Sequence, residues 1–243
     1  AMNRALFVAA SGMAAQQIQL DVIADNLANA DVAGFKQAAA AFTDVRVAGG
    51  TGLGVAPAGT HAVFEQGKLE KSGGPFDVAI DGPGFFVLTH GMQTAYTRNG
   101  EFHRAADGTL QTADGWRLPG VRIPYDATNL SVDPDGRVRC ERPQNGKWEC
   151  GRIVLSAFAA PEALESSGNA RFTATSRAGA PRRLLPGGEH APKIAFGMLE
   201  RSNVSIIGSM MEILAAQRAY EANAKGVQAA DEMQRIANNL HRT

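Results

Sequence analysis

Leu6, Met13, Leu20 and Leu27 recur at intervals of seven residues near one end of the chain, and Ile213, Tyr220 and Val227 do so near the other. A seven-residue apolar recurrence draws one stripe down a helix, and a helix with one apolar stripe must bury it against something. The spacing predicts a helix from Asn3 to about Asn29, with Ala9, Ala10, Gln16, Gln17, Ile23 and Ala24 filling the intermediate seam positions. Glutamines in such a seam suit hydrogen bonds across helices. Gly12 weakens this helix near its start, and Gly34 ends the region. A second helix is expected from about Val204 to Leu240, with Met210, Gln217 and Ala224 between the heptad positions. Its phase slips to Met233, Ile236 and Leu240, which reads as a stutter. Ser209 with Glu212 has the spacing of a capping box.

Between these stripes the chain changes character. Asn99-Gly100, Asp107-Gly108, Asp114-Gly115, Asp135-Gly136 and Asn145-Gly146 are dipeptides that supply the backbone angles of tight turns. Short β-prone runs lie among them, such as Phe76–Ile80, Phe85–Thr89, Thr94–Arg98 and Arg152–Phe158. The expected class is α+β, with N- and C-terminal helices pairing as a coiled coil around a mainly antiparallel β middle. The expected division is 1–40 and 201–243 for the paired helices and 41–200 for the β-rich domain.

Lys plus Arg number 24 and Asp plus Glu number 24, so the chain carries no basic field that would gather nucleic acid. Near-neutral charge also removes the repulsion that keeps copies apart. No apolar run long enough to span a bilayer is expected. Arg4 followed by Ala5–Ala15 resembles the start of a secretory signal, but Ser11 and Gly12 interrupt it and the helical pattern runs on past it. No cleaved signal peptide is therefore expected. The two cysteines, Cys140 and Cys150, flank a hairpin loop expected at Gln144-Asn145-Gly146, which would set their sulfurs across from one another. A local disulfide and two unpaired thiols are equally open readings.

Catalytic, cofactor and metal sites are all expected to be absent. The five histidines, His61, His90, His103, His190 and His241, have no metal-site spacing. Ser11 lies in a helical pattern and not on a strand-to-helix turn. Gly49–Gly54 lacks the Lys-Ser/Thr ending of a phosphate loop and reads as a flexible connection. Asp77, Asp81, Asp107 and Asp114 could pair as acids in a hydrolytic cleft, yet most of them stand at turns, where Asp bonds its own backbone. Trp116 and Trp148 with Phe85 and Phe86 could form a carbohydrate platform, although a chain with 7% aromatic residues needs most of them for its core.

Segments at both ends of the chain and in its middle resemble one family. SGMAAQQIQLDVIADNLANADVAGFK, from Ser11 to Lys36, is similar to the N-terminal signature of flagellar rod and hook axial proteins. LERSNVSIIGSMMEILAAQRAYEANAKGVQAADEMQRIANNL, from Leu199 to Leu240, resembles the C-terminal signature of the distal rod members. DVAIDGPGFFVL (Asp77–Leu88) and YTRNGEF (Tyr96–Phe102) fit the same family.

The resemblance implies a structural subunit of the bacterial flagellar basal body and not an enzyme. Such a subunit is exported through the type III apparatus without a cleaved signal and lies in the periplasmic space. It stacks helically with its own copies into a hollow, torque-transmitting shaft, beside other rod proteins, the hook protein and the surrounding P- and L-ring proteins. Terminal helices would form the inner tube. The assembly interface implied comprises Leu6, Met13, Leu20, Ile23, Asn26, Leu27, Asn29, Ile213, Gln217, Tyr220, Val227, Met233, Ile236 and Leu240. Asn26 and Asn29 would bond carbonyls at the end of the first helix. Phe42–Val63 is shorter than its counterpart in distal rod proteins, so a proximal rod or hook-type subunit is the nearest alternative. A secreted β-domain adhesin with helical ends is a more distant one.

Overall fold

The computed structural model describes residues 2–46, 52–143, 146–188 and 191–240. Gly49 and Gly50 of the expected flexible connection, Gln144 and Asn145 of the expected hairpin loop, and His190 and His241 lie outside the described residues. Two compact units emerge. One comprises residues 1–28, 38–61 and 204–243, and the other 29–37 and 62–203.

The first unit holds helix α1 (Met2–Ala28), helix α2 (Ile206–Leu240) and a two-stranded sheet of Ala38–Arg46 with Gly52–Ala62. The α+β class with terminal helices and a mainly antiparallel middle is thus observed, and α1 and α2 lie in contact. The sheet clusters with the helices although its residues fall largely within 41–200. Its glycine at Gly54 sits against the α1 residue Ser11, whose Oγ donates to Val8 O at 2.8 Å and accepts from Val55 N at 3.3 Å. Ser11 is therefore a structural hydroxyl.

Two local expectations need correcting. The cap of α2 is Ser205, whose Oγ accepts the Gly208 N–H at 3.1 Å, and Ser209 is buried one turn further in. Ser205 wins because the helix begins at Ile206, which leaves the first orphan N–H groups within its reach. The second correction concerns hydropathy. Leu6–Ala28 contains an 18-residue window of mean hydropathy 1.2 and is, by length and composition, long and apolar enough to cross a membrane. The same composition suits a helix whose sides are covered by other helices, and Ala15, Ile23 and Asn26 of this stretch are already buried.

The second unit is built on antiparallel pairing. Strand Phe85–His90 pairs with Gln93–Thr97 on one side, and with Leu155–Ala157 and Arg117–Arg122 on the other. The sheet continues outward through Gly146–Arg152, Arg137–Arg142 and Thr128–Val132. Val78–Asp81 pairs with Lys193–Phe196, and Leu69–Lys71 with Met198–Glu200. Adjacent residues of a strand face opposite ways, and Phe85 and Phe86 show the result. Phe86 is buried with Val78, Leu88, Leu118 and Leu155 and meets Phe102 edge-on at 5.5 Å. Phe85 joins a second cluster with Tyr96, Phe158 and Phe172. Both faces of this strand are covered, which is why the run Phe-Phe-Val-Leu shows no polar alternation.

Asp107, Asp114 and Asp135 behave as turn residues. Asp107 Oδ1 accepts from Thr109 N at 3.1 Å, Asp135 Oδ1 from Arg137 N at 3.2 Å, and Asp114 Oδ1 from the Thr112 hydroxyl at 2.5 Å. Asp77 Oδ2 accepts from Ser72 Oγ at 2.6 Å. Gly100 departs from the expected hairpin. Its φ is not positive, and a side chain there would strike Val78 O at 1.6 Å, so this glycine permits a close backbone approach.

Candidate functional site: the helix faces and a buried ion cluster

Among the described side chains of α2 the buried ones are Ser209, Ala216 and Ala230, in register with half-buried Asn223 and flanked by half-buried Ile213 and Val227. The contact line therefore runs through small residues. Among the described side chains of α1 the buried ones are Ala15, Ile23 and Asn26, and a side chain on Gly12 would come within 3.0 Å of the Asn223 amide. Small residues let two helix backbones approach closely. Of the residues expected to form the interface, Ile23 and Asn26 are buried within one chain. Leu6, Met13, Leu20, Leu27, Asn29, Ile213 and Val227 are half-buried. Gln217, Tyr220, Met233 and Ile236 are exposed, and the Leu240 side chain lies outside what is described.

Of the exposed apolar face at the start of α2, periodicity picked out only Met210. Ile206, Ile207, Met210, Met211 and Leu214 all face solvent, with Ile207 at 74% and Met211 at 67% exposure. At about 100° per residue these five cover a continuous arc of roughly 140°, centred opposite the Ser209–Ala216–Ala230 line. Phe7 and Val8 of α1 are exposed as well. Contiguous exposed apolar surface of this kind marks an interaction site.

Asn26 and Gln17 act differently from expectation. The Asn26 side chain bonds both backbone groups of Ala38, accepting from its N and donating to its O at 2.8 Å each. Asn26 thus secures the start of the strand after the helix instead of carbonyls at the helix end. Gln17 Nε2 donates to Asp21 Oδ1 at 3.1 Å on its own helix. An amide side chain that finds a partner one turn away gives up the cross-helix bond.

The second unit contains a buried ion cluster that the sequence reading did not anticipate. Glu200, Lys36 and Arg98 are 1%, 3% and 4% exposed. Lys36 Nζ donates to Glu200 Oε1 at 2.5 Å and to Glu65 O at 2.6 Å. Glu200 Oε1 also accepts from Gly67 N at 2.9 Å. Arg98 Nε lies 2.9 Å from Glu200 Oε2, off the hydrogen-bonding direction, and Arg98 Nη1 donates to Gly82 O and Gly84 O at 2.8 and 2.7 Å. Burial pulls the Lys36 ammonium below its usual range, and Glu200 opposes that pull. Burial lowers Arg98 in the same way, again against Glu200.

The backbone is tied down at the same place. Gly34 N donates to Glu200 O at 2.7 Å, and Gly34 has φ +66° with its α-carbon pressed on the Arg98–Asn99 backbone, 2.2 Å from where a side chain would begin. Asn203 Oδ1 accepts from Gln37 N at 2.7 Å, and its Nδ2 donates to Val63 O and Glu65 O at 2.8 and 3.2 Å. Asn203→Ala would leave these groups short of partners. An expected loss of about 1–3 kcal/mol is readable as a lower urea midpoint, and an unchanged midpoint would show that the three bonds carry no net stability.

The carbohydrate platform does not form from the residues proposed for it. Phe85 and Phe86 are buried in two different clusters, while Trp116 lies against His90 and under the Arg171 guanidinium. Phe85 and Phe86 went inward because the central strand offers no solvent-facing side.

Residues 6–36 match the family described as flagella basal body rod protein, residues 79–140 the flagellar hook protein FlgE/F/G D1 domain, and residues 196–240 the flagellar basal body rod FlgEFG protein C-terminal family. The chain is 38% identical to the flagellar basal-body rod protein FlgG of Borreliella burgdorferi, over 99% of this chain and 100% of that one. It is 35% identical to FlgG of Agrobacterium fabrum, over 97% and 98%. The flagellar basal-body rod protein FlgF of Mesorhizobium japonicum is 32% identical over 92% and 91%. With the signatures at both ends, the β segment between them and full-length relatives all in agreement, the chain belongs to the FlgG-like flagellar basal-body rod protein family.

Proposed function

We propose that the chain is a structural subunit of the distal rod, stacking helically with its own copies into a hollow shaft that passes torque to the hook. The observation that carries this reading is the exposed apolar arc Ile206, Ile207, Met210, Met211 and Leu214, on the side of α2 away from its intramolecular contact line. Such a face is stable in water only when another surface covers it. Helices of neighbouring subunits supply that cover, so the terminal helices of 1–40 and 201–243 form a coiled-coil inner tube. The β body within 41–200 forms the outer wall, apart from the hairpin that clusters with the helices. The remaining interface residues, from Leu6 and Met13 to Tyr220, Met233 and Ile236, work within and between copies in this arrangement.

A subunit of this kind acts by packing and holds no catalytic or cofactor site. It reaches the periplasmic space through the type III export apparatus without a cleaved signal peptide. There it meets other rod proteins, the hook protein and the P- and L-rings. The full-length match to FlgG relatives at 35–38% identity favours the distal position over a proximal one. The purified chain at high concentration is expected to form straight tubes by electron microscopy, and a chain lacking residues 204–243 none. Tubes from the shortened chain, or only dispersed particles from the intact one, would sink the reading.

A further inference from the structure

Cys140 and Cys150 are the only cysteines of the chain. Both are buried free thiols, at 1% and 6% exposure, and both belong to the main core cluster. They stand on the two strands of one hairpin, Arg137–Arg142 and Gly146–Arg152. The register places Cys140 opposite Trp148 and shifts by one between Val138 and Arg139, so that Val138 faces Gly151 and Arg139 faces Glu149. Cys150 is the extra residue at this bulge. A bulge bends its strand and re-aims a side chain, and here both cysteines end up on the core side of the hairpin.

We infer that Cys140 and Cys150 close into an intra-hairpin disulfide as the chain folds outside the cytoplasm. The location rests on the proposed function, whereas the closure rests on the hairpin geometry alone. The oxidant is a dithiol/disulfide exchange protein or oxidised glutathione. One cysteine thiolate attacks a sulfur of the oxidant disulfide, giving a mixed disulfide and releasing one oxidant thiolate. The second cysteine thiolate attacks the protein sulfur of that mixed disulfide and expels the other oxidant sulfur. The two cysteines lose two electrons and two protons, and the oxidant leaves reduced. Closure belongs to the folding stage, because a thiol buried in the core is screened from a macromolecular oxidant.

Burial and the neighbouring Cys140 thiol push the Cys150 thiol up to about 12 from 9.0. A folded-state value above the unfolded one means that the reduced native chain holds a proton the unfolded chain releases between those pH values. The stability of reduced chain that depends on this proton is full below pH 9.0 and is lost as pH rises towards about 12. A disulfide has no proton to lose, so the oxidised chain lacks this alkaline loss.

The test refolds the reduced, denatured full-length chain in buffers of reduced and oxidised glutathione, quenches with acid, and alkylates under denaturing conditions for mass spectrometry. Closure predicts monomeric chains with no alkylated thiol and a linked peptide pair containing Cys140 and Cys150. It also predicts a melting temperature higher by roughly 5 °C than that of the reduced chain, and a smaller alkaline loss of stability. Two alkylated thiols on refolded chains at every glutathione ratio, or linked dimers in place of the internal bridge, would overturn the inference. A second arm dissolves basal bodies, isolated without reductant, in denaturant containing alkylating agent. Free thiols there, beside closure in glutathione, would count against the location outside the cytoplasm and leave the chemistry of the pair intact.

Discussion

Glu200→Gln is expected to destabilise the β-rich unit by about 3–5 kcal/mol, the usual loss when one partner of a buried ion cluster is removed. The glutamine is nearly the same size and retains an oxygen for Lys36 Nζ and Gly67 N, so little packing is lost. What changes is charge. Lys36 and Arg98 would remain buried as two cations with no anion among their direct partners in the cluster. For a chain of this length the loss corresponds to a fall in melting temperature of roughly 6–20 °C, measurable by calorimetry on the purified subunit. If Glu200→Gln melts at the temperature of the parent chain, the cluster is not the stabilising centre described here.

Met211→Asp and Leu214→Asp on α2 are expected to abolish assembly while leaving the subunit folded. Both side chains are exposed in the single chain, at 67% and 55%. Surface substitutions of this sort change folding stability by about 0.5 kcal/mol or less. Within a tube the same carboxylates would be buried in an apolar contact without partners, a cost of several kcal/mol for each copy. Sedimentation at high subunit concentration and swimming in soft agar would report the effect. Motile cells carrying the double variant would remove α2's outer face from the assembly interface. By contrast, Gln228→Ala on the same helix is exposed and polar, and is expected to assemble normally.

The helices were readable from their apolar spacing to within a few residues, because a stripe of period near 3.6 is a property of the local sequence. The side of α2 that meets α1 was harder to read. A hydrophobic pattern draws attention to Ile213, Tyr220 and Val227, whereas the tightest contact runs through Ser209, Ala216 and Ala230. Small side chains signal little by hydropathy, yet they decide how closely backbones approach. Where the opposite face is also apolar, as at Ile206–Leu214, a one-dimensional pattern has no means of choosing between partners. The ion cluster lay further out of reach, since Lys36, Arg98 and Glu200 are far apart in sequence and each reads alone as an ordinary surface charge. A hint existed nonetheless. Gly34-Phe35-Lys36, Tyr96-Thr97-Arg98-Asn99 and Leu199-Glu200-Arg201 each belong to one of the family-like segments, and each contributes one member of the cluster.

The segment 29–37 is pinned at three successive points by Gly34 against the Arg98–Asn99 backbone, Lys36 on Glu200 and Gln37 on Asn203. Adding one residue just ahead of Lys36 would displace its ammonium by up to the ~3.3–3.6 Å that a residue spans, enough to break its bonds. Evolutionary latitude is thus unevenly distributed along this chain. Relatives are free to lengthen exposed loops, where closure grows costlier only slowly with length. Insertions and deletions between Gly34 and Gln37 are expected to be purged, so the length of that short crossing should be far more constant across the family than its sequence.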